Sequence, residues 1–184
     1  MKNKARATVA SCLMAIHLLA ANVGTICAQV ISGQKTAAPV ILNRDQASTI
    51  LPSSVFFHGQ SAAIQQRNSA GLRLPGGGLV LMAIVDTSGY ASSIQQTYQA
   101  YLITEVPLTI GGRKLAPGAY GFGFLEGNKM VMMDIGGNEI FRATTVREES
   151  LTRPTPLQVL PDEAAGTFRL YLGRSYVSFT PSSK

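Results

Sequence analysis

The chain has 184 residues, 46% of them hydrophobic, and a formal net charge of +6, which fits one globular domain with an apolar core of its own. The basic residues are scattered along the sequence, without the clustered stripe that marks a nucleic-acid-binding surface. We therefore expect no nucleic-acid partner. A protein or a small molecule remains as the expected type of partner.

The N-terminus has the order of a secretory signal peptide. Lys2, Lys4 and Arg6 precede an apolar run over residues 9–21, and small residues surround Ala28. The run is shorter than the about 20 apolar residues that a permanent membrane helix requires. We predict cleavage after Ala28, release into the periplasm or the extracellular space, and no permanent membrane span afterwards. A signal that is retained as an anchor is the alternative.

Removal of residues 1–28 changes the charge and the thiol content of the chain. Three of the sixteen basic residues lie in this segment, which leaves 13 basic residues against ten acidic ones and a net charge of +3. Both cysteines, Cys12 and Cys27, lie there as well. The exported part is therefore predicted to be free of disulfides, although its compartment would permit them, and to be stabilised by burial alone.

Residues 29–53 mix apolar residues with prolines and show no firm period. We predict an N-terminal arm or linker here, with one helical turn that begins at the capping residue Asn43. Strand signals begin at residue 54. We predict a single all-β domain over residues 54–180, followed by a tail over residues 181–184.

Two segments carry the clearest strand patterns. Residues 79–85, LVLMAIV, form a continuous apolar run between turn residues, which predicts a buried central strand. Residues 98–110 alternate with a period of two, which predicts one long strand or two strands joined by a bend near Pro107.

Glycine-containing turns separate the remaining strands. Gly127-Asn128 and Gly136-Gly137 suit hairpin loops, and Pro117-Gly118 suits a type II turn. Many short strands between such turns predict an all-β fold, an antiparallel β-sandwich of about eight to ten short strands. A closed lipocalin-like barrel is the alternative.

The phrase Ile-Gly-Gly occurs twice, at residues 110–112 and 135–137. A phosphate-binding loop needs a glycine-rich turn that leads into a helix, with a Lys or a hydroxyl residue at a fixed offset. Strand residues follow both copies of the phrase instead. We interpret both copies as turns between strands and predict no nucleotide site.

An aromatic stripe, Tyr120, Phe122 and Phe124, alternates with Gly121 and Gly123. Aromatic side chains at this spacing can stack on a ligand, but they are equally suited to fill a core. We favour the core, with the glycines placed under a crossing segment or a large neighbouring side chain. A packed core would favour a scaffold, a cavity would favour a carrier, and open solvent would favour a binding surface.

His58 is the one histidine that follows the predicted signal peptide, and it cannot by itself supply a multi-histidine zinc site. We expect a strand-end histidine that bonds to the backbone or faces water. Catalysis by His58 would require a nearby acid such as Asp86 or Asp134. The other acidic residues are dispersed, and no calcium-loop pattern or nucleophile elbow occurs. We therefore assign no catalytic, cofactor-binding or metal-binding residue and expect no enzymatic activity and no cofactor.

The order G-G-[KR]-x-L-x-P-G-x-Y resembles a strand–turn–strand signature of exported soil-bacterial all-β proteins that have no assigned activity. The matching residues are Gly111, Gly112, Leu115, Pro117, Gly118 and Tyr120. The phrases at residues 55–60, 85–90 and 170–174 are similar to recurring phrases of the same proteins. The resemblance implies export and an all-β fold, and it carries no functional residues over to this chain.

Two functions from different classes follow as hypotheses. The first is an exported, non-enzymatic interaction or structural module of the bacterial envelope. It is favoured because strands and turns account for the sequence, while no catalytic set of residues is recognisable in it. The second is a lipocalin-like carrier of a small apolar ligand, because the strand faces are apolar and aromatic. The carrier requires an internal cavity.

Overall fold

The structure is a computed structural model that describes residues 38–182. The predicted signal peptide, the part of the predicted arm before residue 38, and residues 183–184 of the predicted tail lie outside the described residues.

The described chain contains fourteen strands and two short helices. In chain order they are β1 Val40–Leu42, α1 Arg44–Ile50, β2 Ser54–Phe57, β3 Gln60–Arg73, β4 Leu79–Val85, α2 Ser92–Thr97, β5 Ala100–Thr104, β6 Leu108–Ile110, β7 Arg113–Leu115, β8 Gly118–Leu125, β9 Lys129–Met133, β10 Glu139–Thr144, β11 Val146–Arg147, β12 Leu157–Pro161, β13 Phe168–Leu172 and β14 Ser175–Pro181. Within residues 38–182, no helix is both long and apolar enough to cross a membrane.

The strands form two antiparallel sheets. The large sheet has eight strands in the order β1-β3-β4-β5-β8-β9-β10, with β2 paired to β3. The small sheet has six strands in the order β12-β13-β14-β6-β7, with β11 paired to β14. The predicted antiparallel sandwich is confirmed, and the alternative of a closed barrel is wrong because residues 38–182 close no barrel.

The described strands outnumber the predicted eight to ten. Several of the additional strands are only two or three residues long, among them β6, β7 and β11. So few residues cannot display a period of two, and their pairing with a neighbouring strand of the sheet defines them instead.

The large sheet is buried on both faces, because each face is covered by a different layer. The small sheet packs on one face, and the core between the sheets includes Val80, Leu102, Phe122, Leu170 and Phe179. Residues of the β2 hairpin and of both helical segments cover the other face. This second core includes Ala47, Phe57, Tyr98, Leu81 and Val131.

The two predicted strand patterns are confirmed. Strand β4, residues 79–85, lies between β3 and β5 and contributes side chains to both cores. The alternating segment 98–110 is two strands joined by a bend: β5 belongs to the large sheet and β6 to the small sheet. The bend over residues 105–107 therefore carries the chain from one sheet to the other.

The described part of the predicted arm packs with the sheets. Strand β1 pairs with residues 71–73 of β3. Helix α1 begins after Asn43, whose side chain accepts a hydrogen bond from the backbone N–H of Gln46, while the Gln46 side chain accepts one from the backbone N–H of Asn43. This capping box confirms Asn43 as a helix start.

The predicted hairpins are present with one exception. Gly127 and Asn128 both have positive φ in the turn between β8 and β9, and Gly137 has positive φ in the turn between β9 and β10. The predicted type II turn at Pro117-Gly118 is wrong. Gly118 is already the first residue of β8, and the dipeptide crosses between the sheets, since β7 and β8 belong to different ones.

Candidate functional site

The aromatic stripe on β8 faces the core between the sheets. Phe122 is fully buried, and Tyr120 and Phe124 are partly buried against the same core. The same core includes Met82 of β4 and Leu170 of β13, which belong to opposite sheets. The core interpretation is therefore confirmed, and this face is not a ligand-stacking surface.

The glycines between the aromatic residues make room for the layer on the opposite face. A Cβ atom at Gly121 would overlap the ring of Phe57 and approach Tyr98, and one at Gly123 would overlap the backbone carbonyl oxygen of Thr97. Glycine suits both positions because any Cβ would overlap a neighbouring group. The expectation that these glycines lie under large neighbours is confirmed.

Both Ile-Gly-Gly copies are turns, as predicted. Gly111 and Gly112, with φ of 52° and 79°, form the two-residue hairpin between β6 and β7, and two adjacent positive φ values are typical of a type I′ turn. The second copy lies in the turn between β9 and β10, where the Asp134 carboxylate accepts a hydrogen bond from the backbone N–H of Asn138.

His58 connects two hairpin ends that are far apart in sequence. Its Nδ1 lies 2.8 Å from the carbonyl oxygen of Gly136, so Nδ1 carries the proton that is donated. The backbone N–H of His58 donates to the carbonyl oxygen of Ile135, also at 2.8 Å. The prediction of a strand-end histidine bonded to the backbone is confirmed.

Neither candidate acid is hydrogen bonded to His58. The Asp134 carboxylate accepts hydrogen bonds from Asn138, and that of Asp86 accepts one from the backbone N–H of Ser88. These hydrogen bonds lower the pKa of each carboxyl group, so both acids are ionised at neutral pH. Residues 38–182 also contain no group of three or more His, Cys, Asp or Glu residues that could hold a metal ion.

The most connected polar cluster lies on the small sheet around Arg169. Its guanidinium lies 2.8 Å from the Asp162 carboxylate and 4.7 Å from the centre of the Tyr176 ring. Hydrogen bonds from Ser178 and then Arg169 lower the pKa of Asp162. Because the Asp162 carboxylate already accepts hydrogen bonds from Ser178 and Arg169, it holds the strands β13 and β14 of the small sheet together.

A groove lies on the open side of the sandwich, where edge strand β1 of the large sheet approaches edge strand β12 of the small sheet. We call it the edge groove and define it by its lining residues 41–45, 67–70 and 155–160. Its volume is about 490 Å³, within the range of protein ligand sites. Leu42, Ala70 and Val159 are buried along it, so the groove has an apolar floor.

Strand β12 presents an unpaired backbone edge to this groove. The carbonyl oxygen of Pro156 accepts from the N–H of Gly173, and the N–H of Asp162 donates to Thr167. In an antiparallel ladder the directly bonded pairs alternate along the strand, so residues 158 and 160 also bond to β13. The N–H and C=O groups of Leu157 and Val159 consequently point away from β13, and none of them has a hydrogen-bond partner within residues 38–182. Both residues are nevertheless buried, with 4% and 3% of their surface exposed.

A bulge in β3 forms the opposite rim of the groove. Gln65 pairs with Ile84, and the next paired residue, Ser69, pairs with Ala83. Residues 66–68 are therefore extruded from the ladder, and the Ser69 hydroxyl closes the bulge by donating to the carbonyl oxygen of Gln66 at 2.6 Å. Bulges re-aim side chains and occur preferentially near functional sites.

The bulge places Arg67 at the rim of the edge groove. The side chain is exposed, and no carboxylate oxygen of residues 38–182 lies within 4 Å of it; the other arginine of the groove, Arg44, is paired with Asp45 at 3.1 Å. The groove thus combines an apolar floor, an unpaired strand edge and a cation on its rim.

This groove could not be predicted from the sequence. Its three walls are separated by more than 20 residues each, and their meeting depends on the strand order of two sheets. The residue signals were weak. Pro156 precedes β12 and Pro161 is its last residue, as is common on edge strands, but proline alone does not distinguish a strand edge from a loop boundary.

No protein-family model matches this chain, and no curated protein and no solved structure matches it significantly. The resemblance drawn from the phrases around Gly111 and Tyr120 therefore stays a prediction, and the function is inferred from geometry.

Proposed function

We propose that this chain is an exported, non-enzymatic interaction module of the bacterial envelope that binds its partner in the edge groove. The observation that carries the proposal is the edge groove itself, which has buried apolar residues along its floor and the exposed Arg67 on its rim. A concave apolar site with a few polar groups is typical of binding sites. The N-terminal sequence pattern supports export.

The other candidate residues support a structural role for the rest of the molecule. The aromatic stripe packs in the core, the glycine pairs form turns, and His58 bonds to the backbone. These roles are structural, which favours binding over turnover. The apolar carrier has no comparable support, since the aromatic side chains that would line its cavity fill the core.

Affinity capture from the native envelope tests the proposal. We expect the wild-type chain to retain a partner and Leu160→Lys, which places a charge on a partly exposed residue that lines the groove, to lose most of it. Ile140→Lys is the matched control, because Ile140 is also an exposed aliphatic residue but lies on the distant edge strand β10.

Two results would contradict the proposal. If both variants retain the partner equally, binding lies outside the groove. If no partner is captured and the purified chain hydrolyses members of an ester or glycoside panel, the chain is an enzyme.

A further inference from the structure

Building on the proposed function, we infer that the loop over residues 148–156 is a lid at one end of the edge groove and that Arg174 holds it closed. We call this segment the lid loop. Its last two residues, Thr155 and Pro156, form part of the groove wall. Opening of the lid loop moves this part of the wall and lengthens the groove, so that a partner protein can bind along it.

Both ends of the lid loop are attached to the same turn. The backbone N–H of Glu148 donates to the carbonyl oxygen of Arg174 at 2.8 Å, and the N–H of Gly173 donates to the carbonyl oxygen of Pro156 at 2.9 Å. Gly173 and Arg174 form the turn between β13 and β14. A surface loop whose ends meet in this way is an Ω-loop, a type that is frequently functional. Because its ends meet at one turn, the loop can open without separating any strands.

The interior of the lid loop has few contacts that hold it in place. Every residue from 148 to 156 is partly or fully exposed. Among residues 149–155, no backbone N–H donates to a backbone carbonyl within residues 38–182. Segments with few buried contacts and few backbone hydrogen bonds open at a low cost in free energy. We therefore expect this loop to open far more readily than the strands beside it.

Arg174 supplies the contact to the middle of the lid loop. Its Nη1 donates to the carbonyl oxygen of Leu151 at 2.6 Å. A hydrogen bond from a charged donor is stronger than one between neutral groups, and its loss should raise the open population about tenfold or more. A longer contact, 3.8 Å between the Glu148 carboxylate and the Arg169 guanidinium, holds the first residue of the loop.

The size of the closed groove favours an opening step. Its volume of about 490 Å³ is that of a site for a small molecule, whereas a stable protein–protein interface covers about 800 Å² on each partner. A partner protein therefore needs a longer surface than the closed groove offers. Thr155 and Pro156 belong to no strand or helix, unlike most of the other lining residues, so this end of the groove is the part that can move.

Relaxation of the backbone amides in nuclear magnetic resonance provides the first test. We expect an ordered lid loop in the wild type. In Arg174→Met, which removes the guanidinium and keeps a long side chain, the order parameters of the loop should fall below about 0.6. Arg153→Met is the matched control, since Arg153 is an exposed arginine of the same loop without an ion pair within residues 38–182. A loop that is equally ordered in both variants, or already disordered in the wild type, would overturn the inference.

Binding of the uncharged apolar dye Nile red connects the loop to the groove. Arg174→Met should bind the dye up to about tenfold more tightly than the wild type, in proportion to the open population. The double variant Arg174→Met/Leu160→Lys should lose this gain, because the added charge lies in the groove wall. Arg153→Met should behave like the wild type. Equal affinity of Arg174→Met and the wild type would show that the loop does not control access to the groove.

Affinity capture from the native envelope separates this inference from the proposed function. At limiting concentration, Arg174→Met should retain more partner than the wild type, and Arg153→Met should retain the same amount. If Leu160→Lys loses the partner while Arg174→Met leaves its retention unchanged, the inference is overturned and the proposed function stands. If Arg174→Met gains dye binding but no variant captures a partner, the loop is a lid and the proposed function fails.

Discussion

The two faces of β8 pack in opposite ways, one with large side chains and the other with none. On one face Tyr120, Phe122 and Phe124 project into the core between the sheets. On the other face Gly121 and Gly123 project nothing, and the rings of Phe57 and Tyr98, stacked with centroids 3.8 Å apart, enter from the covering layer. Side chains of β8 fill the first core, whereas side chains of the covering layer fill the space over the glycines of β8. The alternation of aromatic residues and glycines therefore serves packing on both faces.

Removal of the central ring from the first face should have the largest effect. Phe122→Ala is expected to lower the free energy of unfolding by about 3–5 kcal/mol, because it removes a fully buried aromatic side chain and leaves a cavity between two sheets. Denaturant unfolding measures the change. A loss below about 1 kcal/mol would indicate that the space between the sheets is not filled.

Addition of a methyl group to the second face should have the next largest effect. Gly123→Ala is expected to cost about 1–3 kcal/mol through overpacking, because the added Cβ would meet the backbone of Thr97, which cannot rotate away. Gly121→Ala should cost less, since the rings of Phe57 and Tyr98 can shift. Gly76→Ala is the control, with no atom within 4 Å of its added Cβ. Equal stability of the Gly123 and Gly76 variants would contradict this account.

The hydroxyl of Tyr98 marks a defect of the second core. It is buried without a hydrogen-bond partner within residues 38–182, and a buried polar group without a partner costs about 1–3 kcal/mol. Tyr98→Phe should therefore raise the free energy of unfolding by about 1 kcal/mol. A destabilised variant would mean that the hydroxyl has a partner such as a buried water molecule.

The same substitution should change the response to alkaline pH. Burial, reinforced by Tyr90 and Tyr101, raises the pKa of Tyr98 above the ordinary value of 10.0. The folded state therefore holds this proton more tightly than the unfolded state. The contribution of the protonated hydroxyl to the free energy of unfolding is complete below about pH 10 and is lost as the pH rises further. We expect thermal stability to fall above about pH 10 in the wild type and to fall less steeply in Tyr98→Phe.

The smallest effect is expected beside the second core, on the exposed side of β2. Phe56 is 53% exposed while its neighbour Phe57 is buried. Phe56→Thr should change the free energy of unfolding by less than about 0.5 kcal/mol, as is usual for surface positions, and Thr suits a strand. A loss of several kcal/mol would show that Phe56 contributes to the core.

Local signals in the sequence predicted many elements of this fold. The helix start at Asn43 could be predicted because the capping box joins residues three positions apart. The hairpins at Gly111-Gly112 and Gly127-Asn128 could be predicted because positive φ favours glycine and asparagine. The sheet change near Pro107 was one of two alternatives, since a period of two is the same in one long strand and in two.

The candidate site could not be predicted in the same way. The bulge that displays Arg67 depends on how β3 and β4 align, and nothing in residues 66–68 departs from an ordinary polar stretch. The unpaired edge at Leu157 and Val159 depends on β12 being last in its sheet. Both are properties of pairing between distant segments.

Residues close together in the chain are enough to specify the all-β class, most of the turns and the burial of β4. Which strands lie at the edges, which layer fills each face of β8 and where the edge groove opens became visible only in the folded molecule. These features depend on strand order and layer packing, which minimise the exposed apolar area of the whole molecule, and no local pattern encodes that total.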